Sequence, residues 1–178
     1  MVSLKQAFEP VVDARTRLLV LGSLPGDASL KAAQYYAHPR NAFWRLMGEV
    51  VGCDLTSLPY ASRLTALKAA GVGLWDVIAS AERPGSLDTA IRNASAADLS
   101  SLVRSLPDLR AIAFNGGTAG RIGRRRLGES AVVTLVDLPS SSPAHTLAFE
   151  FKLQAWRRLQ RFVITEQATC GHMPRPKT

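Results

Sequence analysis

The sequence has few of the residues that build disulfide scaffolds or metal centres. Only two cysteines, Cys53 and Cys170, and three histidines occur in 178 residues. Neither cysteine has the spacing to a second cysteine or a histidine that zinc sites require. We therefore expect neither a disulfide framework nor a metal centre, and a reducing compartment is consistent with that expectation.

Long apolar runs are also lacking. No run approaches the roughly 18 to 20 residues needed to cross a bilayer, and the opening MVSLKQAFEP lacks the basic and apolar regions of a signal peptide. With 47% hydrophobic residues, the chain is neither disordered nor fibrous. We expect a cytoplasmic protein with a single domain over residues 1–164 and a loose tail over 165–178.

Acidic residues are scarce relative to basic ones. Asp and Glu number 14 against 22 Lys and Arg, so the net charge is +8. The excess is mostly arginine, including the run RIGRRR at Arg121–Arg126. A basic field of this kind attracts a polyanion such as nucleic acid. The alternative is that these arginines form an ordinary solvated helix face.

The chain contains a regular alternation of strand and helix patterns. Four apolar runs that end in small or polar residues are typical of strands buried on both faces: Thr16–Ser23, Gly71–Ile78, Leu109–Gly116 and Ala131–Ser140. Helical patterns cover Ala42–Val51, Ala61–Ala70, Ala96–Ser105, Thr118–Arg126 and Phe149–Thr165. Ser95 with Asp98 predicts a capping box for the third helix. The alternation predicts a three-layer α/β/α sandwich with a central, mainly parallel four-stranded sheet.

Small and polar residues follow each predicted strand, in the segments GSLPG, WDV, FNGG and LPSSSPAH. In open parallel sheets, ligands bind beyond the carboxyl ends of the strands. These segments are therefore expected to meet in one cleft. A further cluster, YYAHPRNAFW at Tyr35–Trp44, places four aromatic rings beside His38, Arg40 and Asn41.

Most residues in these segments have two interpretations. Gly22 and Gly26 either bring backbone N–H groups to an anion or simply turn the chain. Ser140–Ser142 either hold a phosphate or form an ordinary loop. Asp76 either caps a turn or accepts from a base edge, and Asn115 either stabilises a turn or contacts a ligand.

Asn41 is the strongest candidate for a chemical role. Its neutral amide can orient a water through the carbonyl oxygen while donating to a substrate, and it needs no titration to do so. The alternative is an N-cap for the helix that begins near Ala42, a position that asparagine favours. His38, which precedes Pro39, is equally compatible with a structural role.

Five segments, taken in order, resemble the hypoxanthine-DNA glycosylase branch of the uracil-DNA glycosylase superfamily. They extend from about Leu18 to His145 and read GSLPGDASLKAAQYYAHPRNAFW, GLWDVI, RPGSLDTAI, FNGGTAG and LPSSSPAH. The segment YAHPRNAFW is also similar to the FAHPANRFW pattern of the mismatch-specific uracil and thymine glycosylases. The resemblance implies a uracil-DNA glycosylase-like fold and a monomeric enzyme that acts on DNA, duplex or single-stranded, without metal or cofactor.

The resemblance also implies roles in extruding a nucleotide and cleaving its glycosidic bond. Tyr36 would stack on the flipped base, and Asn41 would orient the attacking water as the catalytic residue. The other implied base-pocket residues are Ser23, Leu24, Pro25, Gly26, His38, Phe43, Asp76 and Asn115. The implied DNA-contacting residues are Arg40, Ser140, Ser141, Ser142, Pro143, Ala144 and His145.

Two departures from the family pattern bear on the substrate. Relatives carry Asp or Asn inside the first loop, where this chain has Ser23 and Leu24. Relatives carry His before the proline of the second loop, where this chain has Leu138 before Pro139. Neither leucine can polarise water or stabilise a leaving group. Hypoxanthine, a purine that can leave after protonation at N7, therefore fits better than uracil, with uracil and xanthine as further candidates.

The implied reaction is hydrolysis without a lyase step, because no motif positions a lysine to form a Schiff base. A non-catalytic DNA- or nucleotide-binding module is the main alternative, since the same loops would serve it. A serine hydrolase that uses Ser23 or Ser141 with His38 or His145 is a weaker alternative, because the G-x-S-x-G elbow is missing.

Overall fold

The computed structural model describes residues 4–128 and 133–164. In chain order its strands are β1 (Leu4–Gln6), β2 (Leu18–Gly22), β3 (Val72–Asp76), β4 (Ile78–Glu82), β5 (Arg92–Ala96), β6 (Ala111–Asn115) and β7 (Thr134–Leu138). Its α-helices are α1 (Asp27–Ala32), α2 (Phe43–Val51), α3 (Tyr60–Ala69), α4 (Leu99–Arg104), α5 (Gly117–Leu127) and α6 (Phe149–Trp156). Short 3-10 helices cover Leu55–Ser57, Asp88–Ala90 and Arg157–Phe162.

The main sheet consists of four parallel strands in the order β3-β2-β6-β7. Its two faces carry alternate residues of each strand, because successive side chains of a strand point to opposite sides. Leu18 and Val20 pack with residues of α2, α3 and α6, whereas Leu19 and Leu21 pack with residues of α4 and α5. Both faces are therefore covered, and the predicted three-layer sandwich with a parallel four-stranded sheet is confirmed.

A second, antiparallel sheet in the order β1-β4-β5 was not predicted. Its strands are hard to recognise because β4 reads IASAE and β5 reads RNASA, with small or polar residues in place of an apolar run. The chain passes from the main sheet to this sheet at Val77, whose N–H donates to the Gly22 carbonyl at 2.9 Å. This passage carries residues 83–88 back to the end of β2.

The helix predictions need three corrections. Asp98 is the N-cap of α4 and accepts from the Ser101 N–H at 3.0 Å, but Ser95 lies in β5, so the predicted capping box is wrong. Helix α1 has six residues and was missed, since so short a helix inside a glycine-containing loop shows little periodicity. The last α-helix ends at Trp156 and continues as a 3-10 helix to Phe162.

The arginine run lies on α5, and Arg124 forms an ion pair with Asp137 at 2.8 Å. Because α5 begins where β6 ends, the run lies roughly 6 to 14 Å along the helix from the carboxyl edge of the sheet. Cys53 is buried just after α2, while Cys170 and the predicted tail at 165–178 lie outside the described residues.

Within residues 4–128 and 133–164, no helix is long and apolar enough to cross a membrane.

The strand order creates one point at which the chain changes direction across the sheet. From β2 the chain moves to β3 on one side, and later strands β6 and β7 are added on the other side. At such a switch point the loops after two neighbouring strands separate and leave a crevice. Here the crevice lies between Gly22, which ends β2, and Asn115, which ends β6.

Candidate active site

A cavity of about 490 Å³ opens at this switch point. Its walls include the first loop (Gly22–Gly26), the second loop (Ser140–His145) and residues between Tyr35 and Asn41. Fifteen of the predicted site residues line it: Ser23, Leu24, Pro25, Gly26, Tyr36, His38, Asn41, Asp76, Asn115, Ser140, Ser141, Ser142, Pro143, Ala144 and His145. The structure therefore brings together segments that are far apart in the sequence.

Two predicted residues do not line the cavity. Phe43 is fully buried against Tyr36, and the two rings stack with centroids 3.7 Å apart and planes 13° from parallel. The prediction of Phe43 as a base-contacting residue is therefore corrected, since its ring supports Tyr36 from inside the core. Arg40 is exposed on the surface outside the cavity, so a contact between Arg40 and DNA stays a prediction.

The first loop is held by a segment that we call the bracing segment, Arg83–Asp88. Arg83 is almost fully buried and donates from Nη1 to the Leu24 carbonyl at 3.2 Å and from Nη2 to the Pro25 carbonyl. Arg83 also lies 3.6 Å from the Asp88 carboxylate. A guanidinium has five donors in a fixed plane, so it can hold two carbonyls and a carboxylate together. The backbone of the first loop is thereby fixed.

Two further hydrogen bonds join the bracing segment to the region around the first loop. The Ser23 hydroxyl donates to Asp88 Oδ1 at 2.7 Å, and the Asp27 N–H donates to Ser86 Oγ at 2.9 Å. The first loop has Ser23 and Leu24 where the resemblance leads us to expect Asp or Asn, and Asp88 supplies a carboxylate beside Ser23. Neither Ser86 nor Asp88 was among the predicted site residues.

Asp76 is buried in the cavity wall at the end of β3. Burial raises the pKa of its carboxyl to about 7, while the neighbouring Tyr35 hydroxyl and the Arg83 guanidinium lower the pKa and Asp88 raises it. A Cβ on Gly22 would lie 2.8 Å from Asp76 Oδ1, so only glycine leaves room at that position for this carboxyl. At neutral pH a substantial fraction of Asp76 is protonated, and the protonated carboxyl can both donate and accept.

Three buried polar atoms of the cavity region have no hydrogen-bond partner within the described part of the chain. They are Oδ2 of Asp76 and the hydroxyl oxygens of Tyr35 and Tyr36. Burial, followed by the charge of Asp76, raises the pKa of both tyrosines, which therefore keep their protons. Tyr36 has a φ of 54°, a left-handed backbone conformation that non-glycine residues adopt rarely and that is concentrated at functional sites.

Asn41 lines the cavity directly before α2. Its Oδ1 accepts from the Phe43 N–H at 3.0 Å, but the N-cap of α2 is Ala42, so the N-cap interpretation of Asn41 is wrong by one residue. The same bond fixes the orientation of the amide, and Oδ1 retains a second lone pair. His38 Nδ1 accepts from the Arg40 N–H at 3.1 Å, which places the proton of the neutral ring on Nε2.

The second loop is fixed by Asn115 and by α6. Asn115 Oδ1 accepts from the Ser141 N–H at 2.8 Å, and Asn115 Nδ2 donates to Ser141 Oγ at 2.9 Å. The Lys152 ammonium donates to the carbonyls of Ser142 at 3.2 Å and His145 at 2.8 Å. Trp156 Nε1 donates to the Pro139 carbonyl at 3.0 Å. These hydrogen bonds hold the second loop in a single conformation.

Replacing Asn115 with alanine is expected to destabilise the protein by roughly 1 to 3 kcal/mol, because the buried Ser141 N–H would lose its partner. Asn115→Asp is the matched control, since its carboxylate can still accept from that N–H but cannot donate to the hydroxyl. Urea unfolding and hydrogen exchange at the Ser141 amide measure the effect. Unchanged protection of that amide in Asn115→Ala would contradict the expectation.

The cavity also contains residues that sequence reasoning missed. They are Ala28, Ser29, Tyr35, Ser86, Leu87, Asp88 and Thr89. Gly22, for which the sequence left an anion-binding and a turn interpretation open, also lines the cavity. Four of the missed residues, at 86–89, lie in the segment RPGSLDTAI, which is one of the five segments that resemble the family. The composition of that segment did not predict a role for any of the four. Only the passage of the chain into the second sheet brings this segment to the cavity.

The geometry bears on the serine-hydrolase alternative. Ser23 Oγ donates to Asp88 and Ser141 Oγ accepts from Asn115, so neither serine is arranged as a nucleophile paired with a histidine. Within the described residues, no group of three or more His, Cys, Asp or Glu side chains is placed to hold a metal ion.

Comparison with known proteins identifies the family. The model of the Uracil DNA glycosylase superfamily matches residues 9–160. A protein of Methanosarcina barkeri named hypoxanthine DNA glycosylase is 41% identical over 154 residues, which cover 85% of this chain and 95% of the relative. A protein of Methanosarcina acetivorans with the same name is 39% identical over 160 residues, covering 89% and 99%.

The fold agrees with these matches. A solution NMR structure of a protein from Methanosarcina acetivorans, described as a provisional uracil DNA glycosylase, is 38% identical to this chain. It superposes with a TM-score of 0.78 over 89% of this chain and 98% of its own. The resemblance seen in the five sequence segments is thereby confirmed, and this chain belongs to the uracil DNA glycosylase superfamily.

Proposed function

We propose that this protein is a monofunctional DNA glycosylase that hydrolyses the N-glycosidic bond of deaminated bases, hypoxanthine above all, and so starts base excision repair. The observation that carries the proposal is the cavity itself, which joins Asn41, Asp76 and two braced loops at the switch point. Two relatives named hypoxanthine DNA glycosylase, each about 40% identical over most of both chains, support the choice of substrate.

Base recognition is assigned to Asp76. Hypoxanthine presents a carbonyl acceptor at O6 beside a donor at N1–H, and a protonated carboxyl presents the complementary donor and acceptor. The raised pKa of Asp76 keeps part of it in that form near pH 7. Uracil presents the same pair of groups at O4 and N3–H, so this contact admits uracil as a weaker substrate. Tyr36 stacks on the base as it enters.

The hydrolytic step is assigned to Asn41. Its Oδ1, oriented by the Phe43 N–H, accepts a hydrogen bond from a water and aims that water at C1′ of the sugar. The glycosidic bond lengthens first and the positive charge that builds on the sugar is stabilised partly by neighbouring DNA phosphates. The base leaves with the electron pair of the C1′–N bond, the water adds to C1′, and the proton that the water loses neutralises the departed base. The products are the free base and an abasic site.

The second loop is assigned to the DNA backbone. Ser140 and Ser142 line the cavity, where their hydroxyl groups can bind the phosphates that flank the extruded nucleotide. The predicted contact between Ser141 and DNA is not retained, because Ser141 is almost fully buried and its N–H and hydroxyl are both bound to Asn115. The proposal includes Arg40 as a further phosphate contact. It also includes action as a monomer, on duplex or single-stranded DNA, in the cytoplasm or with the nucleoid of a bacterium, without a cofactor.

The test is cleavage of labelled DNA that contains deoxyinosine, deoxyuridine or deoxyxanthosine, with alkali added to reveal abasic sites. We expect release of hypoxanthine to be fastest, and no strand cleavage before alkali. Strand cleavage without alkali would contradict the absence of lyase activity. Binding of DNA without release of any of the three bases would favour the non-catalytic DNA-binding alternative.

A further inference from the structure

Lys152 is a buried cation without a carboxylate partner. Three cationic side chains are buried in the described part of the chain, namely Lys5, Arg83 and Lys152. Lys5 forms an ion pair with Asp27, and Arg83 forms one with Asp88. In the same part of the chain, no carboxylate forms an ion pair with Lys152. Burying an unpaired ammonium costs several kcal/mol, so the charge of Lys152 points to an anionic partner.

The hydrogen bonds of Lys152 do not by themselves require a charge. Its ammonium donates to the carbonyls of Ser142 and His145, at 3.2 and 2.8 Å. One turn further along α6, the neutral Trp156 Nε1 donates in the same way to the Pro139 carbonyl at 3.0 Å. A neutral donor is therefore sufficient to hold a carbonyl of the second loop. The charge of Lys152 needs another explanation.

The second loop separates Lys152 from the cavity. Lys152 is 4% exposed, whereas Ser142 and His145, whose carbonyls it binds, line the cavity. One layer of backbone thus lies between the ammonium and the cavity. Such a layer is thinner than the Debye length of about 8 Å at physiological ionic strength, so the charge acts across it. An anion on the cavity side of the loop would be attracted and would compensate the buried charge.

The acidic residues on the described elements around α6 do not compensate this charge. The segment 138–148 contains neither Asp nor Glu. Asp137 on β7 and Glu49 on α2 are each paired with an arginine, and Glu150 on α6 is exposed. Burial lowers the pKa of the Lys152 ammonium, as expected for a cation removed from water. The compensating anion must therefore come from a bound partner.

We propose that Lys152 is a positioning residue whose charge draws a DNA phosphate beside the extruded nucleotide to the second loop, an inference that rests on the proposed function. The ammonium does not touch the phosphate. It holds the inner side of the loop through two carbonyls, and its charge lowers the free energy of a phosphate on the outer side. Loss of the charge should weaken the interaction with that phosphate and leave the rest of the DNA interface unchanged.

The experiment uses Lys152→Gln, which keeps a hydrogen-bond donor and removes the charge. Its substrates are a deoxyinosine duplex with natural phosphates and the same duplex with an uncharged methylphosphonate at one phosphate beside the deoxyinosine. On natural DNA we expect kcat/KM of Lys152→Gln to fall about tenfold. A methylphosphonate that costs the wild type about tenfold should cost Lys152→Gln less than about threefold, because the charge that attracts the phosphate is already gone.

Two further variants serve as comparisons. Lys152→Met removes the charge and the donor together and should respond to the methylphosphonate as Lys152→Gln does. The Ser142 carbonyl also accepts from the His145 N–H at 3.1 Å, so part of the loop keeps its support. Lys68→Met removes a lysine near the end of α3, where β3 begins at the opposite edge of the sheet, and should keep the full methylphosphonate penalty. Urea unfolding and hydrogen exchange at the Ser141 amide report whether the loop is intact.

The other outcomes overturn the proposal in distinct ways. Wild-type activity in Lys152→Gln would show that Lys152 acts only as a hydrogen-bond donor. Equal penalties in the wild type and Lys152→Gln at every flanking phosphate would show that the charge and the phosphate do not interact. Failure of both Lys152 variants to fold would assign the charge to the fold and not to DNA. No release of hypoxanthine by the wild type would overturn the proposed function itself, which equal penalties would leave standing.

Discussion

Replacing Asn41 with serine is expected to slow base release by about 10²- to 10⁴-fold while the protein stays folded. The hydroxyl of serine can still accept from the Phe43 N–H, which Asn41 Oδ1 now binds at 3.0 Å. The amide that we propose orients the water is lost, so the chemical step is expected to lose its aligned nucleophile. Single-turnover cleavage of deoxyinosine DNA, with urea unfolding of the same preparation, measures both quantities.

Asn41→Ala is the matched comparison, because it removes both the amide and the hydrogen bond to the Phe43 N–H. It should lose as much activity as Asn41→Ser and, in addition, about 1 kcal/mol of unfolding free energy. DNA binding should persist in both variants. Full activity in Asn41→Ser would contradict the catalytic assignment and leave Asn41 with a structural role, the hydrogen bond to the Phe43 N–H. Loss of folding in Asn41→Ala alone would support the same conclusion.

Wild-type activity is expected to fall above pH 7 by up to about tenfold per pH unit, and Asp76→Asn is expected to remove this fall. The pKa of Asp76 is raised to about 7 by burial, so the carboxyl ionises just above neutrality and can no longer donate to O6 of the base. An asparagine amide offers a donor and an acceptor at every pH. The measurement is kcat/KM from pH 5 to 9 for both proteins.

Asp76 should also make stability depend on pH. Its ordinary pKa in an unfolded chain is about 3.9, and its pKa in the folded protein is about 7. Between these values the folded state binds more protons than the unfolded state, so the contribution of Asp76 to the unfolding free energy falls as pH rises and is constant outside this window. The stability of Asp76→Asn relative to the wild type should therefore increase, by up to about 4 kcal/mol, as the pH rises through this window.

Asp108→Asn is the control for both measurements, because Asp108 is an exposed carboxylate away from the cavity. It should leave the activity profile and the pH dependence of stability unchanged. Parallel activity profiles for the wild type and Asp76→Asn would contradict the role of Asp76 in recognition. A stability difference that is the same at pH 4 and pH 8 would contradict the raised pKa.

Three of the four strands of the main sheet, β2, β3 and β6, could be predicted because they are buried on both faces, whereas Thr134 and Asp137 of β7 are exposed. Burial of this kind demands a continuous apolar run, as in LLVLG of β2 and AIAFN of β6, and such a run is visible without any partner. The strands of the second sheet carry no such run. Strand β5 is almost wholly exposed, and its register comes from its pairing with β4, which only the folded chain supplies.

The candidate site was predictable to the extent that it lies at strand ends. The loops after β2, β6 and β7 are recognisable from glycine, asparagine and serine, and parallel strands place those loops at one edge. The sequence could not show which of Phe43 and Tyr36 lines the cavity. Both are aromatic and close in sequence, and only packing decides that Tyr36 faces the cavity while Phe43 is buried against it.

The sequence by itself determined the α/β class, the parallel sheet, the loops of the cavity and the family. These depend on the order and local periodicity of residues, which do not change when the chain folds. Only the folded chain shows the strand order, the return of the bracing segment to the first loop and the raised pKa of Asp76. Each of these depends on groups from distant parts of the chain, and burial and pairing between such groups exist only after folding.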